Sequence, residues 1–461
     1  MSKKDLKRSL AAESLEKVGK RVLLQGWVQT LRDHGKISFV DFRDESGIIQ
    51  CVGENLPKLS VESVVEIIGE VKKRPEKLIN KELATGKVEV KIESLKILSP
   101  AKELPFPLDG QGYEINEELR LRYRYLDLRR PRLQRNIRVR SKYVQAAREY
   151  LFSKGFTEIE TPILTKSTPE GSRDFVVPSR ISPGKFFALP QSPQQYKQLL
   201  MTSGFIKYFQ IARCLRDEDP RADRGYEHTQ IDLEMSFVDR EEVMSVFEEM
   251  TIYALEKVGA KITKKPFPVI THKEAMEKYG TDKFDLRSQE EKKNGAMSLA
   301  WVIDYPFFER DADGNWTFTH NPFSAPLTSQ QEKWLVEGTN IEKIRTAQYD
   351  LVCNGLEVGG GSIRTNKPEV LKAVFGVMGY KEEKVMEDFG HMIEAFEYGT
   401  PPHGGCAQGF ERLLMAFLGE DYLREVQAFP QTGRGRTSVM DAPSELEGKQ
   451  LQELGLKVIE K

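Results

Sequence analysis

Eighteen residues from Arg213 to Gln230, RCLRDEDPRADRGYEHTQ, hold four arginines (Arg213, Arg216, Arg221, Arg224) and five acids (Asp217, Glu218, Asp219, Asp223, Glu227). Opposed charge at that density makes either a solvated loop laced with weak surface ion pairs or a floor for a polyanion beside a polar substrate. The flanking runs FIKYFQIARCLRDED and HTQIDLEMSFVD read as two strands around the loop. Strand side chains alternate faces. His228, Gln230, Asp232 and Glu234 therefore share one face, and Ile231, Leu233 and Met235 the other. A wholly polar face inside a folded domain needs partners. Arg216, at the end of the preceding strand, reaches the same space.

A second constellation lies in TAQYDLVCNGLEVGGGSIR. Asn354-Gly355 is a preferred two-residue hairpin turn. It pairs Cys353 with Leu356 and Val352 with Glu357, which makes Asp350 and Glu357 diagonal neighbours on one face. Diagonal positions lie about 7–8 Å apart at the backbone. Two carboxylates so placed suit Mg²⁺, a hard cation that completes its shell with phosphate and water. Two exposed acids aligned by chance are the alternative. Gly359 to Gly361 would let a ligand approach the strand backbone, but no GxxxxGK[ST] loop is present. A third piece, GCAQGFERLL, runs a glycine-rich strand end into a helix carrying Arg412.

The elements that must position these residues follow from the rest of the chain. Its 461 residues exceed one core, so two or three domains are expected. Hydrophobic residues make up 39% and charged residues 30%, as in a soluble protein, and the net charge of −1 requires any basic patch to be local. No apolar run reaches the length of about 18 that spans a membrane. MSKKDLKRSLAAES has no apolar core after its basic residues and does not read as a secretory signal. Cys51, Cys214, Cys353 and Cys406 are scattered, which argues against disulfides and zinc and for a reducing cytoplasm.

Residues 21–98 contain five β-rich runs, VLLQGWVQTL, KISFVDFRD, GIIQCVG, SVVEIIGEV and KVEVKIESLKIL. They predict a five-stranded OB-type barrel within a domain of residues 1–104. Pro100, Pro105 and Pro107 open a linker or hinge, taken as 105–135. The arginine-rich stretch Glu118 to Lys142 reads either as a helix with a solvated basic face or as one near RNA phosphate. Beyond it, helical and strand patterns alternate irregularly over 136–461, which indicates an α+β domain with an antiparallel sheet flanked by helices.

KGFTEIETP, then RDED–loop–QIDLE, then GxxxGxER ending at Arg412 resemble, in order, the three motifs of class II aminoacyl-tRNA synthetases, at about 154–164, 209–237 and 403–418. LRYRYLDLRRP, TPEGSRDF, LPQSPQQYKQLLM, EVGGGSIR and YGTPPHGG narrow the resemblance to the bacterial aspartyl-tRNA synthetases, over essentially the whole chain. That resemblance implies ATP-dependent formation of aspartyl-adenylate, then transfer to the 3′-end of tRNA(Asp), by a Mg²⁺-dependent homodimer. It assigns the ATP α-phosphate to Arg216, the adenine edge to Glu218, the adenine face to His228 and the γ-phosphate to Arg412. Asp350 and Glu357 would bind Mg²⁺, Glu357 beside the ATP. Lys197 and Arg364 would grip the side-chain carboxylate of L-aspartate. Ser192, Gln194 and Asp232 would orient its amino end, while Glu170 and His320 line the same pocket. Arg32, His34, Phe39 and Gln50 would read the anticodon.

The chain departs from the family pattern in four places. The span Phe267 to Phe308 is too short for the domain usually inserted between motifs 2 and 3, which implies a compact form. His228 stands where phenylalanine is usual, His320-Asn321 where two histidines are frequent, and Gln408 where an apolar residue is usual. His34 resembles members that also charge tRNA(Asn), whereas Lys77 resembles strict members. An asparaginyl enzyme, a binding-only protein that kept the barrel, and a free-standing aspartate ligase are the competing readings.

Overall fold

The computed structural model describes residues 6–459, and they form two compact units, divided after Pro107. The first is a closed barrel of β1 (Arg21–Asp33), β2 (Ile37–Asp44), β3 (Gly47–Glu54), β4 (Val64–Lys73) and β5 (Val88–Ser99), in the order β1-β2-β3-β5-β4. Alternation along the strands sends Val22, Leu24, Val28, Val40, Phe42, Ile49 and Val65 inward to one apolar core. Closure leaves no free sheet edge.

The second unit is built on an eight-stranded sheet. Its strands are β6 (Thr157–Glu158), β9 (Lys207–Leu215), β10 (Glu227–Ser236), β11 (Val269–Thr271), β12 (Leu299–Ile303), β15 (Gln348–Cys353), β16 (Leu356–Ile363) and β17 (His403–Gly409). Two small hairpins, β7 (Val176–Pro178) with β8 (Phe186–Ala188) and β13 (Phe308–Arg310) with β14 (Trp316–Phe318), stand apart from it. The sheet order is β11-β12-β15-β16-β17-β10-β9-β6, antiparallel except for β11 on β12 and β6 on β9. This is the expected α+β architecture. One sheet face packs Ile231, Leu233, Met235, Leu351 and Val358 against helices Pro131–Ser153, Arg240–Lys257 and Phe410–Leu418. The opposite face carries the polar residues. Between Phe267 and Phe308 the chain has room only for β11, β12 and two short helices.

The arginine-rich stretch divides: Arg122, Arg135 and Arg138 are exposed, whereas Arg120, Arg124, Arg130 and Arg132 are buried. Arg120, Arg124 and Arg130 bond the fully buried Asp127 at 3.1, 2.9 and 2.7 Å. Arg120 also forks onto both oxygens of buried Glu425 at 3.1 and 2.9 Å, and Arg132 reaches Glu425 at 2.8 Å and Glu420 at 2.6 Å. Arg124 fills the carbonyls of Arg424, Gln427 and Ala428. Part of the stretch expected to be a hinge is thus clamped to residues 420–428. Arg120, Arg124 and Arg132 come from three successive helices and Arg130 caps the last, with Asp127 local to them and Glu420 and Glu425 arriving from about 300 residues away.

Gln408 has a similar explanation. It is fully buried, accepts the Tyr143 hydroxyl at 2.9 Å and donates to the Thr251 hydroxyl at 3.1 Å. Both partners come from the helices beneath the sheet, so the amide replaces apolar packing with satisfied hydrogen bonds.

Removing one partner of a buried ion pair strands the other charge, at about 3–5 kcal/mol. Glu425→Gln is therefore expected to lower the unfolding free energy by about that amount, read by urea titration. An exposed control, Glu383→Gln, should stay within about 0.5 kcal/mol of the unaltered chain.

Candidate active site

Every residue of the second unit to which the resemblance gives an amino-acid, ATP or metal role, from Glu170 to Arg412, lines one cavity of about 860 Å³ on the polar face of the sheet. It has three regions.

At the inner end, Glu234 on β10 bridges two cations. Its carboxylate lies 3.1 Å from Lys197 Nζ and 3.0 and 3.3 Å from Arg364 Nε and Nη2. Lys197 also bonds Asp232 Oδ2 at 2.7 Å. Lys197, Asp232, Glu234 and Arg364 are all buried. Burial pushes the Glu234 carboxyl up, but Arg364, Lys197 and His403 outweigh it and hold it at about 2. Asp232 goes the other way. Burial raises it, and Lys197 offsets only part. Its Oδ1 is buried and has no partner among the described residues.

Glycines make this end possible. Gly405 on β17 pairs with Glu234, and a Cβ there would sit 1.9 Å from Glu234 Oε2 and 2.2 Å from the Leu233 carbonyl. Without a side chain, β17 lets the Arg364 guanidinium cross to β10.

The middle region is cationic. Arg216 Nε bonds the Gln191 carbonyl at 3.3 Å, and Arg412 pairs with Asp223 at 3.1 Å. His228 lies between them on β10. Burial, then Arg216, Arg412 and Arg213, push its imidazole down to about 3, so the ring is neutral near pH 7. Glu218 accepts Arg224 at 2.8 Å and the Ser172 hydroxyl. The loop carrying Glu170 is held by Gln195, whose amide donates to Thr168 and to the Glu170 carboxylate. Burial raises the Glu170 carboxyl above its ordinary value.

The third region holds Asp350 and Glu357. The turn pairs are as expected, Cys353 with Leu356 and Val352 with Glu357. A bulge then intervenes: Leu351 pairs with Gly359, skipping Val358, and Asp350 faces Gly360. The simple diagonal read from the sequence is corrected accordingly. Val358 is buried in the core, and the apolar side of the strand takes the extra residue. Both carboxylates still line the cavity. Asp350 accepts His320 Nε2 at 3.0 Å and Gln348 at 2.6 Å, and Glu357 pairs with Lys283 at 3.0 Å. Among the described residues, no three His, Cys, Asp or Glu side chains converge as a metal cage. The donor set nevertheless fits Mg²⁺. It is all oxygen, and Mg²⁺ is held by one or two carboxylates together with substrate phosphates.

Sequence reading gave no role to Glu234, although period-2 alternation had placed it on the polar face. Lys283, Gln191 and Gln348 were missed outright. Gln348 stands two residues before Asp350 on β15, so the same alternation could have found it, whereas Lys283 and Gln191 reach the cavity or its loop through tertiary contacts.

On the barrel, Phe39 is half-buried outside the core, opposite Arg32 on β1 and edge-on to His34 at 5.7 Å. Arg32 bonds Asp41 at 3.0 Å and reaches Gln50 at 3.5 Å. These four residues gather on β1, β2 and β3 and the turn between the first two.

Residues 116–433 match the family model for class II tRNA synthetases (D, K and N), and residues 22–98 match the OB-fold nucleic acid binding domain. The aspartate–tRNA(Asp/Asn) ligase of Syntrophomonas wolfei is 38% identical over 96% of this chain and 98% of its own length. That alignment has 576 positions against 461 residues here, a difference of 115, so the relative carries segments this chain lacks. The ligase of the same description from Treponema denticola is also 38% identical, over 99% and 100%. In fold, the chain is similar to asparaginyl-tRNA synthetase from Pyrococcus horikoshii, with a TM-score of 0.73 and 24% identity over 92% of this chain and 98% of that one. It is equally similar to a putative aspartyl-tRNA synthetase from Leishmania major, with a TM-score of 0.75 and 20% identity over 93% and 95%.

The Glu234 carboxyl predicts an acid transition. An unfolded glutamate titrates near about 4.3. Because the folded value is lower, its contribution is complete above about pH 5 and is lost as pH falls toward about 2. Glu234→Gln should therefore flatten the dependence of unfolding free energy on pH across that window, measured by urea titration at several pH values. Gly405→Ala should abolish activity, because the methyl group occupies the Glu234 carboxylate.

Proposed function

The chain belongs to the class II tRNA synthetases, in the group that takes aspartate, lysine or asparagine, and from that premise we propose how its residues make it an aspartate–tRNA ligase. It attaches L-aspartate to tRNA in two steps, forming aspartyl-adenylate from ATP and then an ester at the tRNA 3′-end. The observation that carries the choice of substrate is the buried Lys197–Glu234–Arg364 bridge. Lys197 and Arg364 face Glu234 and Asp232 there, so a substrate that brings an ammonium to Asp232 is accepted with charge balance only if it also brings a side-chain carboxylate to the two cations. A neutral amide leaves a buried cation short of a partner, which costs about 3–5 kcal/mol, or a few hundred- to few thousand-fold against asparagine.

The substrate's ammonium meets Asp232 Oδ1, with Ser192, Gln194 and Glu170 around it. Its α-carboxylate is then free to attack the α-phosphorus. Arg216 neutralises charge on the α-phosphate and Arg412 holds the far end of a bent triphosphate. Glu218 takes the adenine edge, and the neutral His228 ring supplies a face for the base. Asp350 and Glu357 would hold Mg²⁺, which supplies charge neutralisation for the phosphates, with His320 fixing the Asp350 carboxylate. No protein nucleophile is required. Positioning and fixed positive charge lower the barrier.

The barrel's Phe39 stacks on an unpaired anticodon base, with Arg32, His34 and Gln50 at base edges or phosphate. His34 and the dual Asp/Asn specificity in the names of the Syntrophomonas wolfei and Treponema denticola relatives support charging of tRNA(Asn) as well as tRNA(Asp). A homodimer forms through helix Pro131–Ser153 and the segment after it, where Phe152, Ile163 and Leu164 stand exposed. No helix among the described residues is long and apolar enough to cross a membrane. The reaction belongs in the cytoplasm, where tRNA and ATP are found.

Exchange of labelled pyrophosphate into ATP is expected with aspartate and absent with asparagine. Exchange with asparagine instead would reassign the substrate. Lys197→Met should cut the aspartate-dependent rate at least about a hundred-fold. Purified tRNA(Asn) and tRNA(Asp) are expected to be charged at comparable rates. Failure with tRNA(Asn) would end the dual-specificity reading.

A further inference from the structure

Behind the ammonium end of the cavity runs a chain of hydrogen bonds whose polarity is fully determined. His403 and Gln198 are completely buried, and Gln194 nearly so. His403 Nδ1 lies 2.8 Å from the Pro401 carbonyl, and His403 Nε2 lies 3.0 Å from the Gln198 amide nitrogen. The Gln198 amide oxygen accepts the Gln194 amide nitrogen at 2.9 Å. A carbonyl only accepts, so Nδ1 carries the ring hydrogen and Nε2 of the neutral ring is a bare acceptor. The Gln198 NH₂ must then face the ring, its oxygen must face Gln194, and Gln194 must donate. The Gln194 amide oxygen remains, on a residue that lines the same cavity as Asp232, whose Oδ1 has no partner among the described residues.

We propose that His403 and Gln198 are positioning residues that fix the Gln194 amide with its oxygen toward the cavity, so that the site presents only acceptors to the substrate ammonium. This deepens, and rests on, the reading of the cavity as an amino-acid site. A protonated His403 would aim a hydrogen at the Gln198 NH₂. Both amides would turn over, and Gln194 would offer NH₂ to a cation. Burial opposes protonation of the ring, as do Arg364 and Lys197, whereas Glu234 and the Pro401 carbonyl favour it. The net effect is a ring held below its ordinary value, so the chain is intact at neutral pH.

The test has two readouts. With ¹⁵N-histidine in the whole protein, the signal lost in His403→Gln should be that of a neutral ring protonated at Nδ1. A ring protonated at Nε2 overturns the proposal whatever the substrate proves to be. In pyrophosphate exchange, His403→Leu should raise the aspartate KM about ten- to a hundred-fold with the ATP KM within about two-fold. His403→Gln, which keeps an acceptor for Gln198, should return it to within about three-fold. The aspartate KM of the unaltered protein should rise on acidification, and that rise should be smaller in His403→Gln, where only the Asp232 and Glu170 carboxyls still titrate at the ammonium. Gln198→Met cuts the same chain nearer the cavity and must reproduce the aspartate-selective effect if His403→Leu does not fold. Equal KM values in His403→Leu and His403→Gln, or a parallel rise for ATP, overturn the relay. Absence of exchange with aspartate in the unaltered protein overturns the functional reading instead, and the ring tautomer still decides the polarity of the chain.

Discussion

One buried carboxylate, Glu234, sets the terms for the catalytic unit. Two cations, Lys197 and Arg364, sit in a space with almost no water, and neither is tolerable there without a counter-charge. Glu234 supplies that charge to both, from a strand whose other face is in the main core. Meeting it requires β16 and β17 to pass close by, and the glycines at 361, 404 and 405 leave the space. Asp232 adds a second carboxylate against Lys197, so the two buried cations meet two buried acids.

The arginine cluster around Asp127 and Glu425 solves a related problem away from the cavity. Its guanidiniums end on buried acids and on backbone carbonyls of residues 424–428, so a stretch rich in positive charge becomes an internal clamp. Fixed planar donors suit this role, since each arginine satisfies several acceptors at once. The clamp ties the start of helix Pro131–Ser153 to the segment after helix Phe410–Leu418, the helix that carries Arg412. Gln408 belongs to the same economy of satisfied burial. An amide beneath the sheet is stable because Tyr143 and Thr251 meet it from two helices.

The cavity reads as a gradient of charge. The inner end has its cations matched by acids. The middle, with Arg216, Arg412 and a neutral His228, has an excess of positive charge that awaits phosphate. The outer carboxylates, Asp350 and Glu357, are held by His320 and Lys283. The proposed function rests on this gradient, with the amino acid at the inner end and the triphosphate in the middle.

From the sequence alone came the five-stranded barrel, the α+β class, the face-sharing of His228, Gln230 and Asp232, and the hairpin turn at Asn354-Gly355. These depend on local rules: alternation along a strand, turn chemistry, and motifs long enough to be specific. Only the tertiary structure decided what depends on partners distant in sequence. It alone showed that Glu234 is shared by Lys197 and Arg364, that the arginines near residue 120 are buried against Glu425, and that Val358 bulges into the core and shifts Asp350 opposite Gly360. It alone turned His403 toward Gln198. A charge in a sequence does not declare whether water or another charge will surround it. That is settled by which strands lie side by side, and strand order is a property of the whole fold.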